Sequence, residues 1–165
     1  MKKALIAVGL FIGINATAQI STNSTNNNSG SSSQSAIGLQ TTASGVASTA
    51  MGRSTLASGD YSTAMGHLTT ASGSASTAMG KETTAGGDNS IAMGYLTSAS
   101  GGSSIAMGRS TSASELYATA MGHQTTASGN TSTATGYQTT ASGSASTAMG
   151  KETTAGGDNS IAMGY

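Results

Sequence analysis

From Gln34 onward the chain repeats every fourteen residues, without an insertion or a deletion. Units begin at Gln34, Ser48, Ser62, Ser76, Ser90, Ser104, Ala118, Ser132 and Ser146, and a tenth begins at Ser160. Counting slots from each start, the third is always Ala, the fifth always Gly, the eighth always Thr and the tenth always Ala. The twelfth is Gly except at Glu115, and the fourth is Met except at Ile37 and Thr135. Slots six, seven, thirteen and fourteen vary, and they hold nearly all the charge and all the Tyr. A period of this length within one chain means one structural unit stacked on copies of itself. Residues 69–95 are moreover identical to residues 139–165, seventy positions or five units later, so units behave as interchangeable modules.

Few structures have this period. Two heptads make fourteen residues, but each unit carries two interior Gly, each costing about 0.8–1 kcal/mol in a helix, and no second apolar slot completes a seam. Collagen needs Gly at every third position. A calcium-binding nonapeptide roll has the wrong period and needs more Asp. What remains is a parallel β-roll (a β-solenoid) with two short strands and two turns per coil. Slots one to five, as in Ser48-Thr49-Ala50-Met51-Gly52, form the first predicted strand. Alternation sets Ser, Ala and Gly on one face and Thr and Met on the other. Slots eight to twelve form the second, with Thr, Ala and Gly sharing a face. The two small-residue faces fill a narrow interior, and the variable slots lie at the turns. Coils about 4.8 Å apart make nine of them a rod roughly 43 Å long.

Such a roll has little to bury. Beyond the first eighteen residues Leu, Ile, Val and Phe nearly vanish, and the absence of Cys removes any disulfide framework. Composition of this kind suggests disorder, but the formal net charge of zero lacks the self-repulsion of a solvated coil. Burial of a few methyl groups per coil leaves an isolated roll marginal. Against that background the fourth slot stands out. Met51, Met65, Met79, Met93, Met107, Met121, Met149 and Met163 stack in one file, flanked by Ile91, Ile105 and their Thr equivalents. The alternative, Met inside the roll, would place the invariant Ala outside. An outward Met file is an apolar patch that soluble monomers rarely leave uncovered. It predicts self-association on a common axis, and a three-fold suits one narrow face per rod.

The start of the chain predicts export. Met1-Lys2-Lys3 is basic, residues 4–14 are apolar, and Ala16 and Ala18 stand in an A-x-A arrangement, so residues 1–18 read as a signal peptide. Residues 19–33 are a Ser/Asn-rich linker, and residues 34–165 form the roll, nine full units and a partial tenth. After cleavage four basic side chains face six acidic ones, which argues against nucleic acid as a partner.

The motif "NSIAMG" at residues 89–94 and again at 159–164 is similar to the "NSVAIG"-type motif of the YadA-like head repeats of trimeric autotransporter adhesins. The fourteen-residue spacing and the "ASG" segments match as well, over residues 34–165. The resemblance implies a left-handed parallel β-roll, a homotrimer displayed at a Gram-negative outer membrane and cell surface, and adhesion to host matrix proteins such as collagen, to host cells through their receptors, or to other bacteria. Carried over, Ile91 and Met93 are trimer-core positions, and Asn89 and Ser90 open the motif. The family's coiled-coil stalk and membrane-anchoring barrel segment are missing here, and the sequence stops mid-coil at Tyr165, so a fragment or truncated frame is expected. Glu115 in place of Gly predicts local irregularity in residues 104–117.

No catalytic set is present, so an enzyme is not expected, and neither is a cofactor or a metal. His67 and His123 occupy a variable turn slot, and Asp60, Asp88 and Asp158 read as isolated turn acids. The rival reading is an ice-binding solenoid with a Thr ladder, but parity turns the invariant eighth-slot Thr inward. A phage tail fibre is disfavoured by the signal peptide. An adhesin of this kind binds by surface and not by pocket, through the variable residues Arg53, Tyr61, His67, Lys81, Glu82, Tyr95, Arg109, Tyr117, His123 and Tyr137.

Overall fold

Small side chains at alternating positions let two strands lie almost back to back, and each fourteen-residue unit becomes one coil of a parallel β-solenoid. The structure, a computed structural model, describes residues 27–28 and 33–165. The predicted signal peptide and most of the linker lie outside the described residues. Long strands run from slot two to slot six, as in Thr49–Arg53, Thr63–His67 and Ile91–Tyr95, and short strands fill slots nine and ten, as in Leu56–Ala57 and Ser98–Ala99. They form two parallel sheets of ten strands each. Every strand pairs with its equivalent in the next coil, Met93 opposite Met107 and Ala99 opposite Ala113. The short-strand sheet begins ahead of the repeats, with Asn27–Asn28 beside Thr42–Ala43. Strand contacts run only within a coil and to adjacent coils.

The interior matches the pattern in all but one slot. Ser90, Ala92, Thr97 and Ala99 are 0–2% exposed, and their equivalents are buried along the rod until its C-terminal end, where Thr153, Ser160 and Ala162 are half-buried. The buried apolar residues are all alanines. Twelfth-slot glycines such as Gly59, Gly73 and Gly87 are buried too. The fifth-slot Gly departs from expectation. Gly52, Gly66, Gly80 and Gly94 are exposed, not inward. Strict alternation ends there because the backbone leaves the β region: Gly94 has φ +128°, which residues with a Cβ rarely adopt. The long strand therefore runs one residue further than predicted, to slot six, and the second strand is shorter than predicted.

Hydrogen bonds along the axis continue through both turns. Ser54 N donates to Leu39 O (2.8 Å) and Tyr61 N to Val46 O (2.7 Å), one coil back. This ladder holds sixteen non-glycine residues of slots seven and fourteen at left-handed φ between 52° and 59°, and Ser33, Gln40 and Ala47 ahead of it share that conformation. The left-handed conformation costs roughly 1–2 kcal/mol for residues with a Cβ, least for Asn. Thr131, β-branched at φ 56°, is the least suited of them. Asn fills the same slot at Asn89 and Asn159. Thr131→Asn is expected to raise the midpoint of thermal unfolding and to add on the order of 1 kcal/mol in denaturant titration; a lower midpoint would contradict the assigned turn.

Glu115 disturbs its coil only slightly. In regular turns the N–H groups of slots eleven and twelve share one carbonyl, as Ser72 N (2.9 Å) and Gly73 N (3.3 Å) share Ala85 O. At the substituted turn only Ser114 N reaches Ala127 O, at 3.1 Å. The predicted irregularity of residues 104–117 thus shows as one lost hydrogen bond and two lengthened ones, the second from Tyr117 N to Gly102 O at 3.0 Å.

Candidate interaction surfaces

The outer face of the long-strand sheet carries the Met file. Parallel pairing sets Met51, Met65, Met79, Met93, Met107 and Met121 in unbroken succession, then Thr135, then Met149 and Met163. Their strand neighbours Ala50, Ala64 and Ala92 are fully buried, so the Met side chains point away from the interior. The alternative of Met as roll core is overturned: an interior lined by Ala, Ser and Thr has no room for it. Met51, Met65, Met79 and Met93 are half-buried, as are Ile91 and Ile105, because stacked side chains cover one another. Met107 and Met121 are 37% exposed, Met149 42% and Met163, in the last coil, 71%.

The Met face is bounded by two edges, and the ten variable residues divide between them. Arg53, His67, Lys81, Tyr95, Arg109, His123 and Tyr137 share slot six, and pairing brings them into one column. Glu82 lies beside it. Tyr61 and Tyr117 sit at the opposite edge, 66% and 60% exposed. The column is internally packed. Tyr95 lies between Lys81 (5.3 Å from Nζ to the ring centroid) and Arg109 (5.9 Å from Cζ). His123 stacks on Tyr137 with centroids 5.0 Å apart and planes 9° from parallel. Lys151 Nζ lies 4.4 Å above the Tyr165 ring. Such contacts contribute about 0.5–1 kcal/mol when exposed.

The acids across the rod have a structural task that the sequence reading missed. Asp60, Asp88 and Asp158 are not isolated: each carboxylate accepts the slot-thirteen N–H of the preceding coil. Val46 N donates to Asp60 Oδ1 (2.8 Å), Ser74 N to Asp88 Oδ1 (2.9 Å) and Ser144 N to Asp158 Oδ1 (2.8 Å). The recurrence of Asp at slot thirteen was the available signal. His67 and His123 are both half-buried within the column, where solvent-exposed turn positions were expected.

With this geometry in place, comparison with known families is decisive. The profile of the YadA head domain repeat, two copies long, matches residues 35–55, 43–69, 57–83, 71–97, 85–111, 99–122, 113–139 and 141–165. The chain belongs to the YadA head repeat family. From residue 43 to residue 113 successive matches start fourteen residues apart, one coil each, so the family unit and the structural unit coincide there. YadA head repeats build adhesin heads, which gives the Met face and the two edges their context. Among curated proteins, none matches the chain.

Proposed function

We propose that this chain is the head of a trimeric autotransporter adhesin, exported through residues 1–18 and displayed at a bacterial outer surface. Three rolls pack along a common axis through the Met face, and their variable edges meet host matrix proteins, collagen among them, cell-surface receptors or other bacteria. The observation that carries this reading is the Met file: one outward apolar face on a rod whose interior is already filled by alanine and hydroxyl side chains. A roll with so small a core gains most from covering that face with copies of itself. The YadA head repeats support the same reading. Many identical coils in three chains let weak contacts add through avidity.

The ice-binding reading lacks its ladder. Eighth-slot Thr69, Thr83 and Thr97 are buried at 0–2% exposure. The outward ninth slot is interrupted by Leu56, Ser98 and Ser112.

The test is the mass of the full chain in solution, with retention on a collagen-coated surface measured on the same samples. Wild type is expected at three times the chain mass. Met93→Asp is expected as single chains, with retention lost along with valency. Met93→Thr is expected to stay trimeric, since Thr135 already occupies the file. A monomeric wild type refutes the interface; a trimer that collagen does not retain removes collagen from the proposed ligands.

A further inference from the structure

The two edges of the rod carry opposite charge, and the charges match coil by coil. Among the described residues every Lys and Arg lies in slot six: Arg53, Lys81, Arg109 and Lys151. Each of those four coils carries an acid at the opposite turn, in slot twelve or thirteen: Asp60, Asp88, Glu115 and Asp158 in the same order. No other coil has either. The coils of Lys81 and Lys151 are copies of one another, so three of the matches are independent.

Within one chain these partners cannot meet, because the five-residue long strand separates the two edges by about 16 Å. Lys81 and Lys151 lie near Glu82 and Glu152 in the adjacent slot, at 3.5 and 3.9 Å. Among the described residues Arg53 and Arg109 have no such carboxylate. Asp60, Asp88 and Asp158 commit Oδ1 to the turn, which leaves Oδ2 to accept from outside.

We infer that the basic slot-six edge of one chain docks on the acidic slot-twelve and slot-thirteen edge of a second copy, forming in-register ion pairs that fix the axial alignment of the assembled rolls. This rests on the proposed trimer and adds what that reading leaves open, namely how chains with repeating, slippable faces choose one register. The file is Met in every coil but those of Ile37 and Thr135, so apolar packing alone discriminates little against a one-coil slip. Rotation about an axis parallel to the rods moves each coil sideways and none along the axis. Equal heights therefore face each other, and the edges flanking each Met face become neighbours around the ring. Charges that fall in the second, fourth, sixth and ninth coils meet partners at zero offset, whereas a one-coil slip unpairs all four. Irregular spacing makes the pattern a register code.

The test uses the Arg109 and Glu115 pair, since the Glu115 carboxylate, unlike those of Asp60, Asp88 and Asp158, accepts no turn N–H, and the chain has no Cys of its own. The full chain carrying both Arg109→Cys and Glu115→Cys is treated with a short bismaleimide and run under denaturing conditions. A covalent trimer is expected as the main product. Arg109→Cys with Asp158→Cys, offset by three coils or about 14 Å, is expected to give none. In parallel, Arg109→Glu and Glu115→Arg are each expected to weaken assembly about tenfold through three like-charge contacts, and the double reversal to recover it. A wild-type trimer that neither cross-links through this pair nor recovers in the double reversal overturns the inference and leaves the trimer standing. Products longer than three chains overturn the closed ring. A monomeric wild type by mass refutes the trimer itself, and the inference with it.

Discussion

Gly94→Ala is expected to destroy the roll as a cooperative unit. A Cβ built on Gly94 stands 2.0 Å from the carbonyl oxygen of Gly108 and 2.9 Å from its carbon, both backbone atoms of the next coil. No rotamer change relieves such an overlap. Moving Gly108 away breaks the ladder that continues to Gly122, since Gly108 faces the same obstruction one coil further on. The residue also holds φ +128°, so Ala adds backbone strain to the clash. The cost should exceed about 4 kcal/mol, the range that marks a specific structural lesion. The expected result is loss of β circular dichroism or a collapse of the unfolding midpoint. A midpoint within a few degrees of wild type would mean that the fifth slot does not sit where described.

Two residues earlier, Ala92→Leu is expected to fail differently. Ala92 is fully buried, and the walls around it are the backbones of two sheets and the methyl groups of other alanines. Overpacking a well-filled core commonly costs 1–3 kcal/mol. Here the added carbons have no flexible neighbour to displace, so a loss of about 3 kcal/mol or more is expected in denaturant titration, with early cleavage near the altered coil in limited proteolysis. Wild-type stability in Ala92→Leu would show an interior wider than two facing Ala columns. Between these two, Met93 makes no interior contact that its substitution should break. Three consecutive residues thus separate three tasks: Ala92 fits the interior, Met93 carries the outward file proposed for assembly, and Gly94 permits stacking.

How much of this was legible beforehand depends on what the chain writes in residue type. Period, strand number and the inward Ala and Thr files are carried by side chains that do not vary, and parity alone placed Met outside. The fifth-slot Gly was misplaced because parity holds only while the backbone stays extended, and Gly is the residue with which it stops being so. The left-handed turns were invisible because Leu68, Glu82, Tyr61 and Thr131 occupy them without any Gly signal; it is the ladder to the preceding coil that enforces them. The ten variable residues were read as one ligand surface. Whether two residues share an edge depends on where the coil turns, so the split between a basic-aromatic column and an acidic edge emerged only from the register. The charges themselves were in plain view, seven residues apart in Arg53 and Asp60 and again in Lys81 and Asp88. Their matching, in the proposed assembly, spans two chains, which no reading of a single coil reveals.

Because each coil touches only its immediate neighbours, length is decoupled from shape. A block of five units, such as the one that separates the two identical stretches at residues 69–95 and 139–165, inserts without altering any cross-section. It extends the rod by about 24 Å. In genetic terms the repeat works as a yardstick: slippage between near-identical segments can change how far the head reaches while every surviving coil keeps its interior. The charge code then limits which lengths can mix, since chains that differ by an inserted block present their bases and acids at different heights and should assort with their own kind.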